Sequence, residues 1–87
     1  MTKAKHERVA LLAEELAEAI AVIGKILRHG MDSYDPTKAQ DAPTNRDLLV
    51  RELGDVKAVI SLMLEAGDFT VVELREVKHR KVEKLPR

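Results

Sequence analysis

Cysteine and tryptophan are absent from this sequence of 87 residues, and it contains a single tyrosine and a single phenylalanine. Without cysteine the chain can form neither a disulfide nor a thiolate metal site, so a bound metal would need oxygen or imidazole ligands. Lysine and arginine together number 15, as do aspartate and glutamate, which gives a formal net charge of zero with histidine neutral. This balance argues for neither nucleic acid nor a membrane surface as a partner.

A long apolar run is also missing from the sequence. The charged N-terminal residues are followed by an apolar region that Glu14, Glu15 and Glu18 interrupt. A secretory signal and a membrane-spanning helix both require an uninterrupted apolar core. We therefore expect neither of them, and we expect a cytoplasmic protein.

Proline and glycine are few, at three and four residues, while alanine, leucine, valine, glutamate and lysine are abundant. This composition predicts an all-α protein. Residues 1–87 are expected to form one small helical domain. A chain of this length buries only a modest share of its surface, so a partner subunit is one way to complete its core.

Apolar residues at three- and four-residue spacing predict three helices. The helices are expected to run from about Lys5 to His29, from about Asn45 to Ala66, and from about Val71 to Leu85. Gly30 and Gly67 are typical helix stops. Either Thr44 or Asn45 can cap the second helix, and Thr70 has capping-box spacing to Glu73. The connection over residues 30–43 is long for a small domain, which is typical of a functional or mobile loop.

The first helix carries two apolar strips rather than one. The first strip contains Val9, Leu12, Leu16, Ile20, Ile23 and Leu27, and the second contains Leu11, Ala19, Val22 and Ile26. A helix that is apolar on two sides must cover both of them. We expect this helix to contact two neighbours, or one neighbour and another subunit.

Acidic residues occur where both long helices should be apolar. Glu15 lies within the second strip and Glu18 lies at its edge, while Glu52 and Asp55 fall in the apolar sector of the second helix. Each pair has i, i+3 spacing, so its side chains project from one face. If the helices pack antiparallel, four carboxylates can converge. Glu14 lies further round the first helix, as an outer ligand or a solvated charge.

Ionised carboxylates in an apolar sector need compensation, because burial and mutual repulsion both disfavour their charge. A hard divalent cation would provide it, and oxygen ligands favour Mg²⁺, with Mn²⁺ as a substitute. Buried ion pairs with lysine or arginine are the competing interpretation. Periodicity alone does not choose between the two.

The same residues resemble a known signature. Glu14-Glu15-x-x-Glu18 followed by Glu52-x-x-Asp55 is similar to the E-E-x-x-E and E-x-x-D pattern of the MazG-like, all-α nucleoside triphosphate pyrophosphohydrolases. The words around Arg28-His29-Gly30 and Asn45-Arg46-Asp47 look like the small single-domain members that phages often encode. The resemblance spans about residues 10–85. The spacer between the two motifs is longer than in compact members, and the excess lies in the loop over residues 30–44.

This resemblance implies Mg²⁺-dependent cleavage between the α- and β-phosphates of a nucleoside triphosphate, giving the monophosphate and pyrophosphate. It implies a four-helix-bundle-like fold completed by dimerisation, as a homodimer or a dimer of dimers. By the motif, Glu15, Glu18, Glu52 and Asp55 would be metal ligands, with Glu14 as a further candidate. One of the first-helix glutamates, Glu15 or Glu18, would be the general base. A phosphoribosyl-ATP pyrophosphohydrolase relative and a non-enzymatic helical dimerisation module are the alternatives.

A triphosphate substrate also needs cations and a surface for its base. Lys25 and Arg28 in the first helix are candidates for phosphate binding, and Tyr34 could stack on a base. Further cations lie in the third helix, at Lys78, Arg80, Lys81 and Lys84. A basic run near a helix C-terminus also suits the helix dipole without any ligand.

Overall fold

The computed structural model describes residues 1–38 and 41–86, and all the regular structure in these residues is helical. Residues 39 and 40 of the predicted connecting loop and Arg87 lie outside the described residues. The helices are α1, Lys3–His29, α2, Asn45–Ala66, and α3, Val71–Lys84. The prediction of an all-α chain with three helices is therefore confirmed. None of these helices has the length and apolarity needed to cross a membrane.

Local sequence signals account for the helix ends. Thr44 caps α2 through a capping box with Asp47, and Thr70 caps α3 through a capping box with Glu73. Each threonine hydroxyl accepts a hydrogen bond from a backbone N–H that the helix leaves unpaired. Gly67 ends α2 with a φ of 80°, a left-handed conformation that glycine adopts without steric cost. Of the two candidate caps of α2, Thr44 has this role.

Helices α1 and α2 form an antiparallel hairpin whose core is small. The buried apolar residues are Ala19, Val22, Val56, Val59 and Met63. It is the second strip of α1 that packs against α2. The first strip is left largely exposed, with Ile20 at 66% and Leu27 at 82% exposure. Among the described residues, α2 is therefore the one helix with which α1 makes an extensive contact.

Helix α3 extends away from the hairpin and buries none of its side chains. Among the described residues only α1 and α2 make an extensive helix contact. The radius of gyration is 16.1 Å, whereas about 12 Å is typical of a compact chain of this length. The molecule is consequently open and flat, with principal extents of 44, 35 and 18 Å. The apolar residues of α3, including Val72 and Val77, are exposed.

Asn45 fixes the beginning of the connecting loop against the first turn of α2. Its side-chain Nδ2 donates to the carbonyl oxygen of Gly30 at 3.0 Å. Its backbone N–H donates to the carbonyl oxygen of Ser33, and that of Arg46 donates to Met31, both at 2.8 Å. Asn45 is only 7% exposed. These bonds hold residues 30–33 in place beside the end of α1.

A bidentate ion pair closes the opposite end of the hairpin. Arg8 Nε donates to Asp68 Oδ2 at 2.6 Å and Arg8 Nη2 donates to Asp68 Oδ1 at 2.8 Å. Lys5 Nζ lies 3.9 Å from the same carboxylate, whose side chain is 5% exposed. Paired hydrogen bonds of this type are strong and directional. They connect the first turns of α1 to the turn between α2 and α3.

Replacing Asp68 with asparagine should reduce the free energy of unfolding at neutral pH. In the folded protein the hydrogen bond from Arg8, and to a lesser extent the charges of Arg8 and Lys5, lower the pKa of Asp68 against an opposing effect of burial. A lowered pKa stabilises the fold above the ordinary aspartate pKa of 3.8, and this contribution is lost as the pH falls through the folded-state pKa. Urea midpoints should therefore differ most at about pH 7 and converge at a pH well below 3.8.

Asp32→Asn is the matched control for this measurement, because Asp32 is an exposed residue of the connecting loop. Its urea midpoint should follow that of the wild type at each pH. A difference between wild type and Asp68→Asn that is equally large at both pH values would contradict the electrostatic interpretation.

Candidate metal centre

The hairpin brings together the two acidic pairs that lie far apart in the sequence. Glu15 and Glu18 are one turn apart on α1, and Glu52 and Asp55 are one turn apart on α2. One carboxylate oxygen from each of the four residues lies within 4.8 Å of the others. The predicted convergence of these residues is present in the structure. We call this group the acidic cluster.

The acidic cluster has an inner side and an outer side. Glu15 and Glu52 are half-buried, whereas Glu18 and Asp55 are exposed. The Oε2 atoms of Glu15 and Glu52 are buried, and neither has a hydrogen-bond partner among the described residues. Buried polar atoms are nearly always satisfied in folded proteins. Two adjacent exceptions therefore point to a missing partner that donates a proton or carries positive charge.

Electrostatics within the cluster disfavour full ionisation. The pKa of Glu15 is raised first by loss of solvation and then by the negative charges of Glu18 and Asp55. The pKa of Glu52 is raised first by loss of solvation, then by the negative charge of Glu18 and a side-chain hydrogen bond with it, and then by the charge of Asp55. These effects oppose the charged form of a carboxyl group. A bound cation would reverse them by compensating the negative charges.

The competing interpretation was a buried ion pair with lysine or arginine. In the described part of the chain, no lysine, arginine or histidine forms an ion pair with a residue of the acidic cluster. The ion pairs that are present use Asp68 and Glu83 as their acidic partners. In the residues that the structure describes, no direct ion pair therefore neutralises the cluster, although the charge of Arg51 partly opposes the raised pKa of Glu52.

The dimensions of the cluster fit a small divalent cation. Opposite oxygen ligands of an octahedral Mg²⁺ lie about 4.2 Å apart, and Mg²⁺ commonly keeps several waters as further ligands. The limit of 4.8 Å between the four carboxylate oxygens requires only small side-chain movements to reach that spacing. The exposed side at Glu18 and Asp55 leaves room for waters or for substrate phosphates. Oxygen-only donors also favour magnesium or manganese over zinc.

The other predicted site residues fall into two groups. Lys25, Arg28 and Tyr34 line a single cleft of about 650 Å³ at the loop end of the hairpin. Lys78 and Lys81 lie on exposed positions of α3, and neither lines that cleft. Arg80 and Lys84, the other candidate cations of the third helix, are likewise exposed positions of α3.

The structure separates Glu14 from the other candidate ligands, and it gives Asn45 a role that the sequence did not indicate. Glu14, a further candidate ligand, is exposed and lies outside the acidic cluster, although its charge helps to raise the pKa of Glu15. Asn45 lines the cleft and holds its loop, whereas the sequence indicated only a possible cap. A polar side chain at the first residue of a helix was the sequence feature that could have indicated this role of Asn45. The loop carbonyl that it contacts could not be identified from spacing.

Comparison with protein-family models, with curated proteins and with solved structures finds no match to this chain. The resemblance to MazG-like pyrophosphohydrolases accordingly remains a prediction based on the two acidic motifs. The geometry of the acidic cluster is an independent observation.

Replacing Glu52 with glutamine should weaken Mg²⁺ binding by at least about tenfold, because it removes a charged ligand from the cluster. The same change should keep or increase the thermal stability of the metal-free protein, since it removes a carboxylate whose charge is disfavoured by burial and by its neighbours. Calorimetric titration with Mg²⁺ and thermal melts in a chelator measure the two effects.

Glu65→Gln is the matched control, since Glu65 is an exposed glutamate on the same helix. It should leave both measurements unchanged. If Glu52→Gln lowers the stability of the metal-free protein and leaves Mg²⁺ affinity intact, the cluster is not a metal site. Asp55→Asn provides a second test from the exposed side of the cluster.

Proposed function

We propose that this chain is a Mg²⁺-dependent nucleoside triphosphate pyrophosphohydrolase. The proposed reaction cleaves the bond between the α-phosphorus and the oxygen that bridges to the β-phosphate. Its products are a nucleoside monophosphate and pyrophosphate. The observation that carries the proposal is the acidic cluster, with its two buried carboxylate oxygens that lack partners. The resemblance of the two acidic motifs to MazG-like enzymes supports the same reaction.

In this proposal Glu15, Glu18, Glu52 and Asp55 hold the metal ion. A bound Mg²⁺ would supply positive charge to the phosphates and lower the pKa of a water molecule. The residues of the chain orient the ion from two helices, so its position is fixed by the packing of α1 on α2. Half-buried Glu15 and Glu52 would form the base of the site, and exposed Glu18 and Asp55 would form its rim.

Proton transfer requires a carboxylate near the attacking water. We assign this role to one of the α1 glutamates, Glu15 or Glu18. As water attacks the α-phosphorus in line with the leaving pyrophosphate, the glutamate accepts the water proton. The electron pair of the cleaved bond leaves with pyrophosphate. A general base in such a position typically contributes about 10² to 10⁴ in rate.

We also propose that the protein works as a homodimer or a dimer of dimers. The chain exposes 6997 Å² of surface, whereas about 5100 Å² is typical of a compact protein of its mass. The excess of roughly 1900 Å² resembles the roughly 1000–2500 Å² that each subunit of an obligate homodimer buries. The exposed first strip of α1 and the exposed apolar residues of α3 are the surfaces that a second copy would cover. Lys78 and Lys81 could then approach the phosphates from a partner.

Sedimentation should therefore give a mass of at least twice the 9.7 kDa of one chain. Replacing Ile20, which is exposed at the centre of the first strip, with glutamate should shift the protein toward monomer, because it puts a charge in an apolar interface. Ser61→Glu on the exposed side of α2 is the control and should leave the mass unchanged. A wild-type protein that sediments as a single chain at micromolar concentration would contradict the dimer.

Pyrophosphate release from a panel of nucleoside and deoxynucleoside triphosphates tests the reaction. Release should require Mg²⁺ or Mn²⁺ and stop in a chelator. Glu52→Gln and Asp55→Asn should reduce kcat/KM by at least about a hundredfold, since they disrupt metal binding and the charge compensation that it provides. Glu65→Gln should retain wild-type turnover. Folded protein that releases no pyrophosphate from any member of the panel would exclude the proposal.

Two alternatives give different results in the same assay. A phosphoribosyl-ATP pyrophosphohydrolase would cleave that one substrate and leave the common triphosphates intact. A non-enzymatic dimerisation module would show no turnover, and Glu52→Gln would leave its Mg²⁺ affinity unchanged. The buried oxygens without partners favour the enzyme over this module, because a purely structural interface gains nothing from unpaired buried carboxylates.

A further inference from the structure

We infer that the cleft at the loop end of the α1–α2 hairpin holds the nucleoside part of a nucleotide, with the base against Tyr34 and the phosphates directed along α1 toward the acidic cluster. The cleft has a volume of about 650 Å³, which lies within the roughly 300–1000 Å³ of small-molecule sites. The inference about the direction of the phosphates rests on the proposed function. The inference that a nucleotide binds in the cleft rests on the volume and the lining residues of the cleft.

The cleft and the acidic cluster lie along one side of the hairpin. Leu48 lines the cleft and is one turn, about 6 Å, before Glu52 on α2. Lys25 lines the cleft and is two turns, about 10 Å, beyond Glu18 on α1, at nearly the same angle round the helix axis. The sugar and α-phosphate of a nucleotide can span this separation. A base in the cleft therefore places the reacting phosphates at the cluster.

The cleft has an aromatic and apolar wall that suits a base and a carboxylate that suits polar groups of a nucleoside. Tyr34 is 47% exposed, so its ring has a face available for stacking, and Leu48 provides an apolar surface. Asp35 Oδ1 accepts hydrogen bonds from the backbone N–H and the hydroxyl of Thr37, at 2.9 and 2.7 Å. These bonds fix the carboxylate, whose second oxygen can accept from a sugar hydroxyl or a base N–H.

Lys25 and Arg28 are cations of the cleft on α1, and Lys38 is a cation on its loop side. Arg28 Nη1 lies 3.4 Å from the position that a Cβ atom at Gly24 would occupy, so its guanidinium folds back along α1. Gly24 is about 120° round the helix axis from Glu18, so this guanidinium does not point at the acidic cluster. Lys25 is near enough to Asp35 for its charge to contribute to the lowered pKa of that carboxyl, after the effects of Thr37 and Lys38. Lys25, at nearly the same angle round α1 as Glu18, is therefore the cation of the cleft that is best placed to contact phosphates directed toward the cluster.

The first part of the loop that lines the cleft is held by hydrogen bonds within the chain. The side chain of Asn45 and the backbone N–H groups of Asn45 and Arg46 hold residues 30–33 through three hydrogen bonds. Tyr34 and Asp35, which line the cleft, are the next two residues along the chain. A loop fixed in this way loses little conformational entropy on binding, which favours affinity. Asn45 is thus a positioning residue for the cleft.

Amide NMR of the full-length protein in a chelator tests the cleft without metal or turnover. Titration with the four deoxynucleoside 5′-monophosphates should shift the signals of Lys25, Tyr34 and Leu48. Tyr34→Ala should weaken the affinity for the best of them by roughly tenfold to a hundredfold, the range found for loss of base stacking. Tyr34→Phe keeps the ring and should retain the affinity. Because Tyr34 is an exposed loop residue, both variants should melt at the wild-type temperature.

Several outcomes would overturn the inference. They are the absence of shifts at the cleft, shifts confined to another surface, and an affinity that Tyr34→Ala leaves unchanged. Shifts at Lys25 and Arg28 that inorganic phosphate alone reproduces would show a phosphate site in place of a base site. If a monophosphate shifts the amide signals of the Tyr34→Ala variant as much as those of the wild type, the cleft is likewise a phosphate site and not a base site.

A kinetic measurement separates this inference from the proposed function. If the wild type hydrolyses a nucleoside triphosphate, Tyr34→Ala should raise KM with little change in kcat, and inhibition by inorganic tripolyphosphate should be unaffected. If the wild type hydrolyses nothing but binds monophosphates at the cleft, the proposed reaction is wrong and the cleft remains a nucleotide site. If turnover is present and Tyr34→Ala changes neither KM nor monophosphate affinity, the cleft assignment is wrong and the reaction stands.

Discussion

The structure depends on the placement of two carboxylates, Glu15 and Glu52, in the contact between its two long helices. Each has a buried oxygen without a hydrogen-bond partner in the described residues, and each has a raised pKa because solvation is lost and other acids lie close. Apolar side chains at these positions would pack without this electrostatic cost. The hairpin thus carries a local cost that a divalent cation would remove, and this links the packing of α1 on α2 to the proposed chemistry.

The same hairpin is too small to cover its own apolar surface. Five apolar residues are buried in the part of the chain that the structure describes, while Ile20, Leu27 and the apolar positions of α3 are exposed. An open, flat chain with two uncovered apolar surfaces gains most from association, because burial of apolar area is the main favourable term in both folding and assembly. In the proposed dimer, a second copy covers the side of α1 opposite to the acidic cluster. The proposed metal binding and the proposed assembly would therefore use different sides of one helix.

The two ends of the hairpin are fixed by different interactions. At the loop end, Asn45 holds the residues that form the cleft beside Lys25 and Arg28. At the other end, the ion pair of Arg8 and Asp68 sets the start of the turn that leads into α3. The acidic cluster lies between these two fixed ends. A substrate that enters from the loop end can contact the cleft and the cluster together, which is the arrangement that a base followed by phosphates requires.

The sequence alone determined the three helices, their caps and the acidic pairs, because helical periodicity, capping boxes and i, i+3 spacing are local properties. Local patterns could not show which strip of α1 would be covered. Which strip is covered depends on the face of α2 that packs against α1. In the structure, the second strip, which contains Glu15, packs against α2. Neither could spacing identify the pairing of Arg8 with Asp68 or of Asn45 with Gly30, since the partners are distant along the chain and meet only when the hairpin closes. The sequence identified the four acids individually, and only the antiparallel packing of α1 on α2 brought their oxygens within 4.8 Å of one another.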